Sequence, residues 1–179
     1  MKNIQKRYIG LLGGSFDPAH KGHLAISIIS IKKFKLKKVY WVITKKNPLK
    51  KKTFYSLEER IRYAKKITKP QKKIKTMYLD KIIKSSRTVD VINYFINKKN
   101  IKNIYFIIGS DNLIRFHKWK SWKKIVKLVK LVVFSRKGYD RKGMKSTVAK
   151  KFKNRIIFIK NKPISISSTI LKKRLKLNI

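Results

Sequence analysis

Residues 10–23 read "GLLGGSFDPAHKGH", and the architecture can be inferred outward from this stretch. An apolar run ends at Gly13 and Gly14, a turn sequence follows, and two histidines stand three residues apart at His20 and His23. This order predicts a buried strand, a glycine turn and the start of a helix. Paired glycines let backbone N–H groups come close to a ligand, and the first turn of a helix offers unpaired N–H groups to phosphate. The stretch therefore predicts a phosphate-binding turn at which both imidazoles donate hydrogen bonds to phosphate oxygens.

The same two histidines allow a second interpretation. Side chains three residues apart lie on one face of a helix, so His20 and His23 could instead bind a metal ion. The only further ligand close by in the sequence is Asp17. The ordered combination of strand, glycine pair, turn and helix start favours phosphate.

Strand-like and helix-like segments alternate along the whole chain. Short runs rich in β-branched and aromatic residues predict strands at 8–14, 38–44, 74–79, 103–110, 131–136 and 155–160. Amphipathic stretches predict helices at 21–34, 56–68, 88–99, 121–128, 146–152 and 167–177. The second helix opens with a capping box, in which Ser56 is followed three residues later by Glu59. Continuously hydrophobic strands that alternate with helices predict an α/β, Rossmann-like, doubly wound and mainly parallel sheet in a single domain, residues 1–179.

Composition narrows the class of protein. The chain has 179 residues and no cysteine, which excludes disulfide bonds and thiolate metal sites. Its apolar runs are too short to span a bilayer. We therefore expect a cytoplasmic protein with no membrane partner.

The charge of the chain is extreme, since 50 Lys and Arg residues face 7 acids and give a formal net charge of +43. Such a balance is typical of proteins that bind polyanions. The basic residues are, however, 41 lysines and nine arginines spread over the chain, whereas planar recognition of phosphate favours arginine. We expect nonspecific polyanion binding at low salt that fades as the salt concentration rises. A basic nucleic-acid-binding protein remains an alternative function, and nothing in the sequence indicates an oligomeric state.

Several motifs resemble one enzyme family. "GGSFDPAHKGH" at 13–23 is similar to the nucleotide-binding motif of the nucleotidyltransferase superfamily, most closely that of the nicotinate (nicotinamide) mononucleotide adenylyltransferases. "ISST" at 166–169 resembles the second phosphate motif of that family, and "IIGSDNL" at 107–113 resembles its strand-ending Gly-x-Asp. The resemblance extends over nearly the whole chain. It implies an enzyme of NAD biosynthesis that moves AMP from ATP to nicotinate mononucleotide, giving deamido-NAD and pyrophosphate, with Mg²⁺ accompanying ATP and no metal ligand in the protein.

The resemblance also implies site residues. The phosphates would be stabilised during transfer by His20, His23 and Lys172. Lys172 stands where the family has an arginine, so the positive charge is kept but the bidentate hydrogen bonding of a guanidinium is lost. The implied ATP-binding residues are Gly13, Gly14, Ser15, Phe16, His20, His23, Gly109, Asp111, Ser167, Ser168 and Thr169. The implied mononucleotide-binding residues are Ser15, Phe16, Asn47, Lys50, Thr88, Trp119 and Arg136.

Individual roles follow from the same resemblance. Asp111 would accept from ribose hydroxyls, with a helix cap as its alternative role. Trp119 would stack on the pyridine ring, whereas core burial is the simpler interpretation of that residue alone, and Trp122 is interpreted as core packing. Thr88 would contact the pyridine substituent through its backbone, and Arg136, at the end of the fifth predicted strand, would reach the acceptor phosphate.

One rival enzyme shares the first motif. An adenylyltransferase acting on phosphopantetheine or another small phosphate would need neither the Trp119 region nor the Thr88 segment. The presence of both stretches favours a pyridine mononucleotide, and the pattern of the resemblance favours nicotinate over nicotinamide.

Overall fold

The computed structural model describes residues 8–45 and 53–161. They contain one six-stranded sheet in which all five neighbouring strand pairs are parallel. The strands are β1 Tyr8–Gly14, β2 Lys38–Ile43, β3 Ile74–Tyr78, β4 Asn103–Gly109, β5 Lys130–Phe134 and β6 Ile156–Ile159. Their order across the sheet is β3-β2-β1-β4-β5-β6, so the direction of winding reverses between β1 and β4. The predicted α/β doubly wound sheet is confirmed.

Helices cover both faces of the sheet. They are α1 Lys21–Lys33, α2 Leu57–Thr68, α3 Asp80–Ile83, α4 Thr88–Asn97, α5 Ser110–Ile114, α6 Trp122–Leu128, α7 Asp140–Met144 and α8 Thr147–Lys151, with 3₁₀ turns at Phe116–Lys118 and Lys153–Arg155. One core, around Trp41, lies between the sheet and α1 and α2, and the other, around Phe106, lies between the sheet and α4, α6 and α8. In residues 8–45 and 53–161, no helix is long and apolar enough to cross a membrane.

Most predicted elements lie where the sequence places them, with ends that differ by no more than two residues. The capping box of α2 is confirmed, because the Ser56 hydroxyl accepts from the Glu59 N–H at 3.2 Å and the Glu59 carboxylate accepts from the Ser56 N–H at 2.8 Å. The helix predicted at 167–177 lies outside the described residues.

Three short helices, α3, α5 and α7, which follow the ends of β3, β4 and β5, are not predicted from the sequence. A helix of four or five residues spans little more than one turn, so its amphipathic period is a weak signal. Two predicted strand ends that bear on the site are also too long. Ser110 begins α5 and does not extend β4, and Arg136 lies beyond β5, which ends at Phe134.

Candidate active site

The site lies where the winding of the sheet reverses. β1 and β4 are neighbours there, and ligands of open α/β sheets bind at the carboxyl ends of such strands. The chain leaves β1 at Gly14 and enters α1 at Lys21, whereas it passes from β4 at Gly109 directly into α5. The first glycine turn and the Gly-x-Asp segment, far apart in the sequence, thus meet at one edge.

His20 and His23 form the N-terminus of α1. His20 is the N-cap residue, and its Nδ1 accepts from the Gly22 N–H at 3.1 Å. The Nδ1 of His23 accepts from the His20 N–H at 3.3 Å. Because Nδ1 accepts in both rings, each neutral imidazole carries its hydrogen on Nε2. The ring centroids are 3.8 Å apart, so α1 opens with two adjacent imidazole donors.

The electrostatic surroundings keep His20 neutral. Burial, followed by the positive charge of Arg136, lowers the pKa of His20 from 6.5 to about 4. At pH 7 the ring is therefore a hydrogen-bond donor and not a cation. The neutral form also retains the Nδ1 lone pair that caps α1.

Phe16 packs beneath the histidines. Its ring is 3% exposed, stacks on Trp41 with centroids 5.0 Å apart, and lies 4.9 Å from the ring of His23. Its φ of 46° is a conformation that non-glycine residues seldom adopt. Ser15 beside it is buried as well.

Asp111 occupies the second position of α5, and Gly109 holds the cap position. The alternative role of Asp111 as a helix cap is therefore wrong. Its Oδ2 pairs with the Arg136 guanidinium at 2.5 Å, while its Oδ1 is buried and has no hydrogen-bond partner in the described part of the chain. A Cβ on Gly109 would lie 2.5 Å from Oδ1, so glycine leaves the room that this carboxylate needs. A buried acceptor without a donor suits a ligand hydroxyl.

Asp140, which the sequence analysis does not single out, ties the ends of β4 and β5. Its carboxylate accepts from the Ser110 hydroxyl at 2.7 Å, from the Ser135 hydroxyl, and from the Arg136 N–H at 2.8 Å. Burial raises the pKa of Asp140, but the hydrogen bonds from Ser135, Ser110 and the Arg136 N–H outweigh it and hold the pKa below its ordinary value. Asp140 is consequently an anion that fixes the backbone of Arg136.

Arg60 in α2 is a second residue that the sequence analysis misses. It is 1% exposed, and its Nη1 donates to the carbonyls of Ser15 and Thr44, each at 2.8 Å. Burial lowers the pKa of Arg60, and the carboxylate of Asp17 counteracts that effect. One signal could have found it, because Arg60 precedes the buried Ala64 by one helical repeat of four residues.

Asp17, the third residue of the metal interpretation, binds backbone N–H groups. Its side chain is 1% exposed, and its two oxygens accept from the N–H groups of Phe54 and Tyr55, each at 2.9 Å. Within residues 8–45 and 53–161, no group of three or more His, Asp or Glu residues could hold a metal ion. The carboxylate instead fixes the segment that leads into α2 against the first turn.

The remaining predicted residues are distributed as follows. Thr88 begins α4. Trp119 is half-buried and stacks on Phe116 with centroids 4.7 Å apart, so it is both a packed and an accessible ring. Trp122 packs against Phe152, which confirms its interpretation as core packing. The predicted residues that lie outside the described part of the chain are Asn47, Lys50, Ser167, Ser168, Thr169 and Lys172.

The chain is similar to known proteins in sequence and in fold. Residues 11–174 match the cytidylyltransferase-like family. The chain is 48% identical over 172 residues to a Pelagibacter ubique (strain HTCC1062) protein named "Probable nicotinate-nucleotide adenylyltransferase", with 96% of this chain and 95% of the relative covered. A protein of the same name from Methylorubrum extorquens (strain PA1) is 33% identical over 133 residues, with 73% and 71% covered.

One solved structure has the same fold. It is the Plasmodium falciparum nicotinic acid mononucleotide adenylyltransferase in complex with NaAD. The TM-score is 0.73 at 21% identity, with 93% of this chain and 83% of that chain covered. The chain therefore has the same fold as that protein.

Proposed function

Because the chain belongs to the nicotinate-nucleotide adenylyltransferases within the cytidylyltransferase-like family, we infer that it is an enzyme of NAD biosynthesis. It transfers AMP from ATP to nicotinate mononucleotide and releases pyrophosphate and deamido-NAD. The observation that carries this function is the 48% identity to the Pelagibacter relative over 96% of the chain. The two imidazole donors at the start of α1 supply the matching chemistry.

Adenylyl transfer to this acceptor needs no nucleophilic side chain. The acceptor is a phosphate monoester with a second pKa of roughly 6, so one of its oxygens is already a nucleophile at neutral pH. That oxygen attacks the α-phosphorus of ATP, the bond to the bridging oxygen breaks, and pyrophosphate leaves. The protein has to align the two phosphates and stabilise the charge that spreads over them.

The first turn and α1 supply the hydrogen-bond donors. The Nε2–H groups of His20 and His23, at the positive end of the α1 dipole, suit the α- and β-phosphates. Neutral His20 stabilises charge by donating a hydrogen bond, with no proton transfer. Lys172 keeps its predicted role beside the triphosphate.

The ends of β4 and β5 supply the remaining contacts. The open Oδ1 of Asp111 suits an adenosine ribose hydroxyl. Arg136, close enough to depress the pKa of His20, keeps its predicted role toward the acceptor phosphate, which would compete with Asp111 for the guanidinium. Trp119 and Thr88 keep their predicted roles toward the pyridine ring and its substituent.

Mg²⁺ enters this proposal as part of the ATP substrate. The oxygens of Asp17 are occupied by N–H groups, and the described acids form no cluster for an ion, so phosphate oxygens and water would hold it. The bound ion would neutralise the pyrophosphate leaving group. A cytoplasmic location and loose polyanion binding belong to the same proposal, supported by the ATP substrate and by the net charge of +43.

The test is pyrophosphate release from ATP and Mg²⁺ with nicotinate mononucleotide, nicotinamide mononucleotide and phosphopantetheine offered separately. We expect strong preference for nicotinate mononucleotide. Preference for the amide would change the acceptor, and turnover of phosphopantetheine would replace the proposed function. No turnover with any acceptor, together with micromolar nucleic-acid binding at physiological salt, would favour the nucleic-acid-binding alternative.

A further inference from the structure

Arg60 is a buried cation whose hydrogen bonds all end on carbonyl oxygens. Nη1 donates to Ser15 and Thr44, each at 2.8 Å, Nη2 donates to Lys45 at 3.2 Å, and Nε donates to Ser56 at 3.3 Å. No carboxylate of residues 8–45 or 53–161 forms an ion pair with it. Burial of a guanidinium is costly unless its N–H groups are satisfied, and an apolar side chain would fill a helix–sheet contact at less cost. The contacts of Arg60 therefore call for an explanation beyond packing.

The carbonyls that it binds belong to two strand ends. Ser15 lies in the turn after β1, while Thr44 and Lys45 lie directly after β2. A backbone hydrogen bond from the Thr44 N–H to the Gly14 carbonyl, 3.0 Å long, sets the two strand ends side by side. Since the guanidinium is planar and rigid, its fork fixes the separation of these two strand ends.

A second charged group fixes the β2 end from the opposite side. The Asp80 carboxylate accepts from the Lys45 N–H at 2.8 Å and from the Thr44 hydroxyl at 3.2 Å. Lys45 is therefore held through its carbonyl by Arg60 and through its N–H by Asp80. Hydrogen bonds with two charged side chains thus restrain the backbone of Lys45 on both sides.

We propose that Arg60 is a positioning residue for the transfer step. It fixes the turn after β1, where the ATP phosphates are predicted to bind, relative to Thr44 and Lys45 at the end of β2. This inference rests on the proposed function. In-line attack needs the reacting atoms about 3–3.5 Å apart, and a displacement of about 1 Å can lower the rate about a hundredfold. Loss of the fork should thus reduce kcat more than the affinity for either substrate alone.

The experiment compares Arg60→Lys and Arg60→Met with Arg62→Met. Lysine keeps the charge and the stem but cannot bridge two carbonyls, and Arg62 is the exposed arginine of the same helix. The measurements are kcat and KM for each substrate, Kd for each substrate alone by calorimetry, and Tm. We expect Arg60→Lys to lower kcat about tenfold to a hundredfold. Each Kd should change less than about threefold, and Arg62→Met should match the wild type.

Several outcomes would overturn the proposal. They are wild-type kcat in Arg60→Lys, a loss confined to the Kd of one substrate, or a loss that only follows the unfolded fraction. If neither Arg60 variant folds, Arg60→Gln takes their place, because its amide can donate to one of these carbonyls but cannot bridge two, and wild-type kcat in that variant would refute the proposal. A wild-type enzyme inactive with nicotinate mononucleotide would instead refute the proposed function.

Discussion

The two halves of the sheet hold their strand ends with buried or half-buried ions of opposite charge. In the half made of β1, β2 and β3, the cation Arg60 binds carbonyl oxygens at the ends of β1 and β2. In the half made of β4, β5 and β6, the anion Asp140 binds hydroxyl and N–H donors at the ends of β4 and β5. Each ion provides hydrogen-bond partners to polar groups at two neighbouring strand ends.

The sign of the ion affects which groups can bind a ligand. A cation uses acceptors at its strand ends, whereas an anion uses donors. Where Arg60 binds carbonyls, the neighbouring start of α1 presents the imidazole of His20 and a helix N-terminus, which suit an anion such as phosphate. Where Asp140 occupies donors, an acceptor remains, the buried Oδ1 of Asp111. One half is thus suited to phosphate and the other to a sugar hydroxyl, and four experiments test that division.

The largest effect is expected for His23→Ala. It removes an imidazole donor from the phosphate-binding half, and loss of one such donor lowers kcat about a hundredfold to a thousandfold. The KM for ATP should change by less than about threefold, because the donor acts mainly on charge that develops in the transition state. Steady-state kinetics with nicotinate mononucleotide measures both constants. An unchanged kcat in the folded variant would remove His23 from the phosphate-binding role.

Asp140→Ala tests the opposite half. It leaves two hydroxyls and the Arg136 N–H without their acceptor, so the free energy of unfolding should fall by about 2 kcal/mol. Urea denaturation measures the loss, and the KM for ATP should rise because α5 and Arg136 lose their anchor. Asp140→Asn, which keeps one carbonyl oxygen, is the control and should lose less. Equal stability of Asp140→Ala and the wild type would show that no anion is needed there.

Gly109→Ala and Gly13→Ala make the same change in the two halves. The new Cβ at Gly109 would lie 2.5 Å from Asp111 Oδ1, so that carboxylate must move, and we expect about a tenfold rise in the Kd for ATP from the lost ribose contact. At Gly13 the nearest atom, in the Phe106 ring, is 3.8 Å away, so the free energy of unfolding should stay unchanged. Calorimetric titration with ATP and thermal unfolding make the comparison. Unaltered ATP affinity in Gly109→Ala would argue against Asp111 as the ribose acceptor.

The smallest effect concerns pH. The pKa of His20 is about 4 in the folded chain, against 6.5 for the ordinary group, so the unfolded chain binds a proton that the folded chain rejects. Stability should therefore fall as the pH drops from 6.5 toward 4. His20→Asn keeps a side chain that can cap α1 but does not titrate in this pH range. Between pH 7 and 5 its free energy of unfolding should fall by about 1 kcal/mol less than that of the wild type, allowing for solvent screening. Equal losses in both proteins would refute the neutral, buried state of His20.

The positions of the acids show what sequence patterns can miss. The seven acids are Asp17, Glu58, Glu59, Asp80, Asp90, Asp111 and Asp140. Each follows a strand end or lies in the first turns of a helix, which is the same edge of a parallel sheet. In so basic a chain this scarcity could have indicated Asp140 and Asp80 as residues with fixed partners. Which partners they take could not be predicted, because those groups come from other strand ends, 30 residues or more away for Ser110 and Thr44.

Local pattern was sufficient for much of the molecule. Runs of β-branched residues located the six strands of residues 8–45 and 53–161. The spacing of Ser56 and Glu59 located the start of α2, and the glycine pair with His20 and His23 located the turn between β1 and α1. Such features depend on neighbours a few residues apart, so sequence alone specifies them.

The charge states and hydrogen-bonding groups of the site depend on contacts between residues that are distant in the sequence. The neutrality of His20 requires burial and the charge of Arg136, which lies 116 positions later in the sequence. The open oxygen of Asp111 requires its partner Arg136, and the internal use of the Ser15 carbonyl requires Arg60 from α2. Burial and electrostatic interaction act through space, so the charge states and free hydrogen-bonding groups of the site exist only once the sheet has brought its strand ends together.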